Sequence, residues 1–192
     1  MIKATLEYKS LVLDILTASF MDNKSVNYII PQGDQKHKRI RSLMDYSFEV
    51  CSLFGKVLLS DDRKACALLV YPDQKRTTLK SIWLDTKLLF TCIGIANLFK
   101  TIGRESKISK IQPKERMCYL WFIGVNPIDQ GLGIGSKLLK ELIMECEKEE
   151  RPIFLETSTM KNLPWYKKFG FETYAELKLT YTLYFMKRNL DT

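Results

Sequence analysis

Histidine is nearly absent from this sequence: one residue, His37, in 192. That scarcity counts against a Ser-His-Asp or Cys-His hydrolase, because His37 stands in the basic run Gln35-Lys36-His37-Lys38-Arg39, which reads as a solvated face. Cysteine is scattered. Its five residues, Cys51, Cys66, Cys92, Cys118 and Cys146, include no CxxC pair, which argues against a zinc site or a disulfide framework and for reduced thiols in apolar surroundings. Proline and glycine are few, 6 and 9, which excludes collagen and low-complexity disorder. Long apolar runs are missing too. The longest, Leu88 to Phe99, is closed by Lys87 and Lys100, and falls short of the ~20 residues a membrane span needs. Met1 to Glu7 has no apolar core, so the expectation is a cytoplasmic protein without a targeting segment.

What is present suits one folded domain over 1–192. The chain is 46% hydrophobic, and a chain of this length can bury roughly 70% of the surface it exposes when unfolded. It carries 30 Lys+Arg against 22 Asp+Glu, a net charge of +8 that favours anionic partners without choosing among them. The basic run 36–41 is not interleaved with aromatics, so a nucleic-acid stacking platform is not indicated.

Leu11, Ile15, Leu16 and Phe20 repeat at helical spacing, predicting a helix over 8–20 with an exit loop at 21–25. A second helix is expected over 36–50, then a hairpin of strands 56–60 and 65–71 around Asp61-Asp62-Arg63-Lys64. The stretch 77–110 reads as a packing helix pair without legible chemistry, and 107–116 as a loop. From Met117 to Val125 the chain is continuously apolar and aromatic, which predicts a strand buried on both faces. A glycine-rich turn at 126–135 leads into a helix over 136–149, with Leu138, Leu139, Leu142, Ile143 and Cys146 inward. Ile153 to Ser158 is a second buried strand, reached by a crossover and therefore parallel to the first. A short helix over 162–169 and strands at 171–177 and 179–187 close the chain.

Strand, glycine turn and helix N-terminus together make an anion site. The first amides of a helix lack internal partners, its dipole is positive there, and glycines let a phosphate approach the backbone. Neither common nucleotide loop fits, because Ser136 falls where both the P-loop and GxGxxG require glycine. A tight connection before a helix needs neither three glycines in Gly131-Leu132-Gly133-Ile134-Gly135 nor Lys137 in the first turn.

Read as Gln-x-x-Gly-x-Gly, Gln130 to Gly135 resembles the pyrophosphate loop of the GNAT (Gcn5-related) N-acetyltransferase superfamily. Val125-x-Pro127 ahead of the loop and Asn162-x-x-x-Tyr166-Lys167-Lys168-Phe169-Gly170-Phe171 behind it agree with that family. Phe154 to Tyr166 looks most like the puromycin N-acetyltransferase group. The resemblance covers 117–175 well and the first hundred residues by element order alone. It implies an α/β (α+β) GNAT-type acyl-CoA N-acyltransferase fold: a mixed, mostly antiparallel sheet, a central parallel strand pair that splays apart, and helices on both faces.

The resemblance also implies acetyl-CoA as co-substrate, no metal, and attack of a small-molecule primary amine on the thioester through a tetrahedral intermediate. Gln130, Gly131, Leu132, Gly133, Ile134, Gly135 and Ser136 would bind the pyrophosphate, Ile123, Gly124 and Val125 would pair with the pantetheine, and Asn162 would hold it from the other side. By family position Tyr166 would serve the departing thiolate. Glu156 is the candidate base, since a carboxylate in an apolar strand is expensive unless paired or functional. Pairing with a basic residue or a backbone donor is the alternative for Glu156. Asp129, Tyr119 and a water chain are alternatives for the proton path. Asp22 in the first loop would attract a cationic amine or be simply solvated. Monomer or homodimer, with no nucleic acid or membrane partner, completes the expectation. A non-catalytic CoA-binding sensor on the same fold is the competing one.

Overall fold

In the computed structural model, which describes residues 1–190, seven strands form one sheet in the order β1-β2-β3-β4-β5-β7-β6. The strands are β1 (Ile2–Lys3), β2 (Gly55–Leu59), β3 (Ala65–Val70), β4 (Cys118–Val125), β5 (Ile153–Thr157), β6 (Glu172–Lys178) and β7 (Thr182–Arg188). All neighbours are antiparallel except β4 and β5. The helices are α1 (Lys9–Phe20), α2 (Lys24–Ile29), α3 (Lys36–Phe54), α4 (Leu79–Leu88), α5 (Ile95–Ile111), α6 (Ile134–Lys148) and α7 (Leu163–Lys168). A π-helical turn, Leu89–Ile93, joins α4 to α5.

Alternation along the strands sends side chains to two cores, one on each face of the sheet. Val57, Leu59, Cys66, Leu68 and Val70 pack under α1 and α3, whereas Leu58, Ala65, Ala67 and Leu69 pack under α6. Helices therefore cover both faces, as the apolar periodicities of 8–20 and 136–149 demand. The five cysteines are free thiols, and every one is buried in these cores.

Several elements differ from the sequence reading. A helix over residues 24–29 begins inside the exit loop expected at 21–25, because Asn23 caps it by accepting from the Val26 amide at 3.1 Å. Helix α5 runs through 107–111, read as loop from its polarity: these residues are largely its solvent face, while Ile108 is buried. Helix α3 continues to Phe54, and β2 begins at Gly55, where an added Cβ would lie 2.1 Å from the Leu69 carbonyl oxygen. Helix α6 starts at Ile134 instead of Ser136.

The strand read as buried on both faces is not. Buried and half-buried residues alternate along β4, but the half-buried ones change face at Trp121: Tyr119 and Trp121 lie toward α1 and α3, Ile123 and Val125 toward α6. All four border a cleft, and the cleft follows from strand geometry. Strands β4 and β5 pair only at Cys118–Ile153, Tyr119–Phe154 and Leu120–Leu155. The β3–β4 register then skips Trp121, a bulge that bends β4 away just after its last bond to β5.

Candidate active site

The splay opens a cleft of about 1180 Å³ that passes between β4 and β5 and reaches both faces of the sheet. On one face lies the turn before α6. Gly131 and Gly133 hold φ of +83° and +79°, a left-handed backbone that glycine adopts without strain. Gly133 caps α6 with no side-chain partner, and the amides of Gly131 through Ser136 make no hydrogen bond among the described residues. A row of unused donors at a helix N-terminus fits a diphosphate. Gly135 brings α6 close to β4, since a Cβ there would meet Val125 Cγ2 at 3.0 Å.

Backbone groups of β4 extend the site. Asn126 N–H donates to the Lys64 carbonyl, so by ladder alternation Gly124 faces β3, while Ile123 and Val125 turn their polar groups toward the side β5 has left. The Val125 carbonyl accepts from Ser19 Oγ at 2.7 Å and from Gln130 Nε2 at 3.2 Å, which fixes the strand end to both α1 and the loop. The side chain of Asn162, just before α7, borders the cleft and makes no hydrogen bond to a described residue. Trp165 Nε1 donates to Ser136 Oγ at 2.9 Å, tying α7 to the first turn of α6.

Tyr166 packs in the core under α6, with its ring against Trp165 and Phe171. It borders the cleft, its hydroxyl makes no hydrogen bond to a described residue, and burial pushes its pKa up, so the phenol keeps its proton. Glu156 follows Leu155 and so points to the opposite face. Its carboxylate accepts from Tyr119 OH at 2.6 Å and from Gln112 Nε2 at 2.7 Å. Burial raises its pKa above the usual carboxylate value, and these two hydrogen bonds, with the nearby Arg104 guanidinium, offset only part of the shift. Tyr119 is held fully protonated by burial and by the Glu156 charge.

The matching family model is the acetyltransferase (GNAT) domain, over residues 88–173. That match spans the second helix of the α4–α5 pair through the start of β6, and so takes in the loop and both strands of the cleft. A Schizosaccharomyces pombe protein described as an uncharacterized N-acetyltransferase is 27% identical over 186 residues, 91% of this chain and 74% of that one. The GNAT fold is shared with a structure described as histone acetyltransferase HPA2 and related acetyltransferase from Corynebacterium glutamicum (TM-score 0.71, 17% identity, covering 100% of this chain and 96% of that one). It is shared also with arylalkylamine N-acetyltransferase 2 from Aedes aegypti (TM-score 0.66, 15% identity, 99% and 98% covered).

Within this fold the structure gathers most of the residues singled out from sequence around one cleft: Ile123 to Val125, the loop from Gln130, Asn162, Tyr166 and Glu156. Leu132 is the exception. Its side chain is 69% exposed and lies outside the cleft lining, so only its amide can serve the site. Asp129, a reserve base, is engaged by Lys64 at 2.7 Å. Among the described residues Glu156 pairs with neither a basic side chain nor a backbone donor; it is held by a phenol and an amide.

Sequence reasoning expected the helix pair that contains α5 but missed the part α5 plays in the cleft. Arg104, Ile108 and Gln112 recur every fourth residue and line the cleft on the side of Glu156. Arg104 donates to Tyr181 OH at 3.0 Å and Ser25 Oγ at 2.5 Å and also pairs with Glu105. The i, i+4, i+8 spacing was visible, but it gained meaning only once the helix was known to face Glu156.

Proposed function

We propose that this protein transfers an acetyl group from acetyl-CoA to a primary amine of a small molecule. One observation carries the reading: a single cleft crosses the sheet, with unused loop amides on one face and a proton-accepting carboxylate on the other. Acetyl-CoA supplies the thioester carbonyl that the amine attacks. The amides of 131–136 hold its diphosphate, the exposed edge of β4 at Ile123 and Val125 aligns its amide-bearing arm as an added strand would, and Asn162 closes the other side.

Glu156 takes the proton that the amine must lose, and its raised pKa suits a base working near neutrality. Tyr119 and Gln112 fix its orientation and remain neutral donors throughout. Tyr166, on the other face, donates its phenolic proton to the departing sulfur. Because the two groups stand on opposite sides of the sheet, the acetylated amine and the thiol leave by different mouths.

The test is thiol release from acetyl-CoA across aminoglycosides, aminonucleosides, polyamines, arylalkylamines and amino acids. The likeness of 154–166 to puromycin N-acetyltransferases puts aminonucleosides in that panel, and the Aedes aegypti structure puts arylalkylamines there. Turnover with at least one amine class is expected. Binding of CoA without turnover on any amine would instead mark a sensor.

A further inference from the structure

Helices α4 and α5, with the π-helical turn between them, form a hairpin bent by 120° whose outer surface is apolar. On α4 and the following turn, Leu79, Ile82, Trp83 and Phe90 share one stripe and are 89%, 50%, 58% and 67% exposed. On α5, Ile95, Phe99 and Ile102 do the same at 70%, 83% and 56%. The inner stripes, Leu84 on α4 and Thr101 and Ile108 on α5, are buried, and part of them lines the cleft. Surface helices of a soluble domain normally put polar residues outward, so this arrangement marks a surface that another phase or molecule covers.

Charge identifies the occupant. Lys107 and Lys110 lie along one flank of the α5 stripe and enter no ion pair with the described residues, and Lys100 on the same flank adds a further exposed cation over the Tyr28 ring. The hairpin's acids are already engaged, Asp85 by Tyr46 OH and Glu105 by Arg104. Lys80 and Lys87 pair with Glu49 and Asp45 of α3, which anchors α4 to the body of the protein. A second copy docked face to face would set lysine against lysine. An anionic bilayer surface accepts both features at once: aromatic and aliphatic side chains enter the interface while flanking lysines reach the headgroups.

We propose that the α4–α5 hairpin is a peripheral membrane-docking surface selective for anionic phospholipid. No single helix among the described residues is long and apolar enough to cross a membrane. The earlier expectation of no membrane partner rested on that lack of a span, and surface docking needs none.

Co-sedimentation of the full chain with phosphatidylcholine vesicles, with and without phosphatidylserine, tests the proposal. Salt-sensitive binding is expected only when phosphatidylserine is present. The double variant Phe90→Ser/Phe99→Ser, outside the cleft lining, should weaken binding at least about tenfold with CoA affinity unchanged. Lys107→Gln/Lys110→Gln should weaken binding several-fold and flatten its salt dependence. Equal binding to both vesicle types, or none, overturns the proposal. So does a dimer in light scattering that the Phe90→Ser/Phe99→Ser variant dissociates, since a second copy would then cover the face.

Discussion

At the residue scale, Glu156 and Tyr166 are set apart by what surrounds them. Glu156 has its pKa raised by burial, so the acidic limb of kcat/KM should lie above the range of an ordinary carboxylate. Glu156→Gln should lower kcat about 10²-fold and abolish that limb, as a pH–rate profile would show. The sign of the stability effect follows from the same shift. The native state holds this proton more tightly than the unfolded chain, so stability declines as pH rises from the usual carboxylate value through the raised one. Glu156→Gln should remove that slope from urea titrations measured across pH. Tyr166→Phe keeps the ring contacts with Trp165 and Phe171 and deletes only the hydroxyl. It should reduce kcat about 10²-fold with little change in acetyl-CoA affinity; lost affinity at unchanged kcat would contradict the role.

At the element scale, the turn before α6 is defined by backbone conformation more than by side chains. Gly133 has open space where a Cβ would go, so a side chain fits the folded protein but not its φ of +79°. Gly133→Val should combine strain of about 1–3 kcal/mol with obstruction of the amides, and CoA binding measured by calorimetry should weaken at least about tenfold. Gly133→Asn, which tolerates the left-handed region, should retain more of that affinity. This loop was legible in the sequence because glycines are placed by φ and by close approach, which are local demands. The parallel pair was legible as well, since a crossover through an amphipathic helix admits little else. The bulge at Trp121 was not: it depends on how β3 and β4 register, and no local pattern records that. Nor was the role of α5, whose Gln112 and Arg104 acquire chemistry only by facing a strand far along the chain. The apolar character of β4 hid its cleft side for a related reason, because a ligand-facing wall and a core-facing one use the same residues.

On the scale of the whole molecule, the sheet is pinned behind the cleft by Arg151. This side chain is 5% exposed, donates to both Asp73 carboxylate oxygens at 2.7 and 2.8 Å and to the Met117 carbonyl at 3.1 Å, and stacks on Tyr71 at 4.6 Å. It thereby joins the chain after β3 to the starts of β4 and β5, where the parallel pair is still closed. The Arg151 hydrogen bonds hold the Asp73 carboxyl below its ordinary value. That contribution is present above the usual carboxylate pKa and is lost as pH falls through the lowered one. Arg151→Ala should cost about 2 kcal/mol in urea denaturation near neutrality, after allowing for the partial exposure of Asp73. The deficit should shrink in acid.

The sealed thiols give the molecule a built-in unfolding clock. Burial pushes Cys51 and Cys66 far up and Cys92 to about 12, so thiolate is scarce at each of these while the protein stays closed. A disulfide-exchange reagent should therefore titrate close to none of the five cysteines in the native protein and all of them in denaturant. Because they are spread over α3, β3, the α4–α5 turn, β4 and α6, mass-resolved labelling would report the order in which these segments open, with no probe attached.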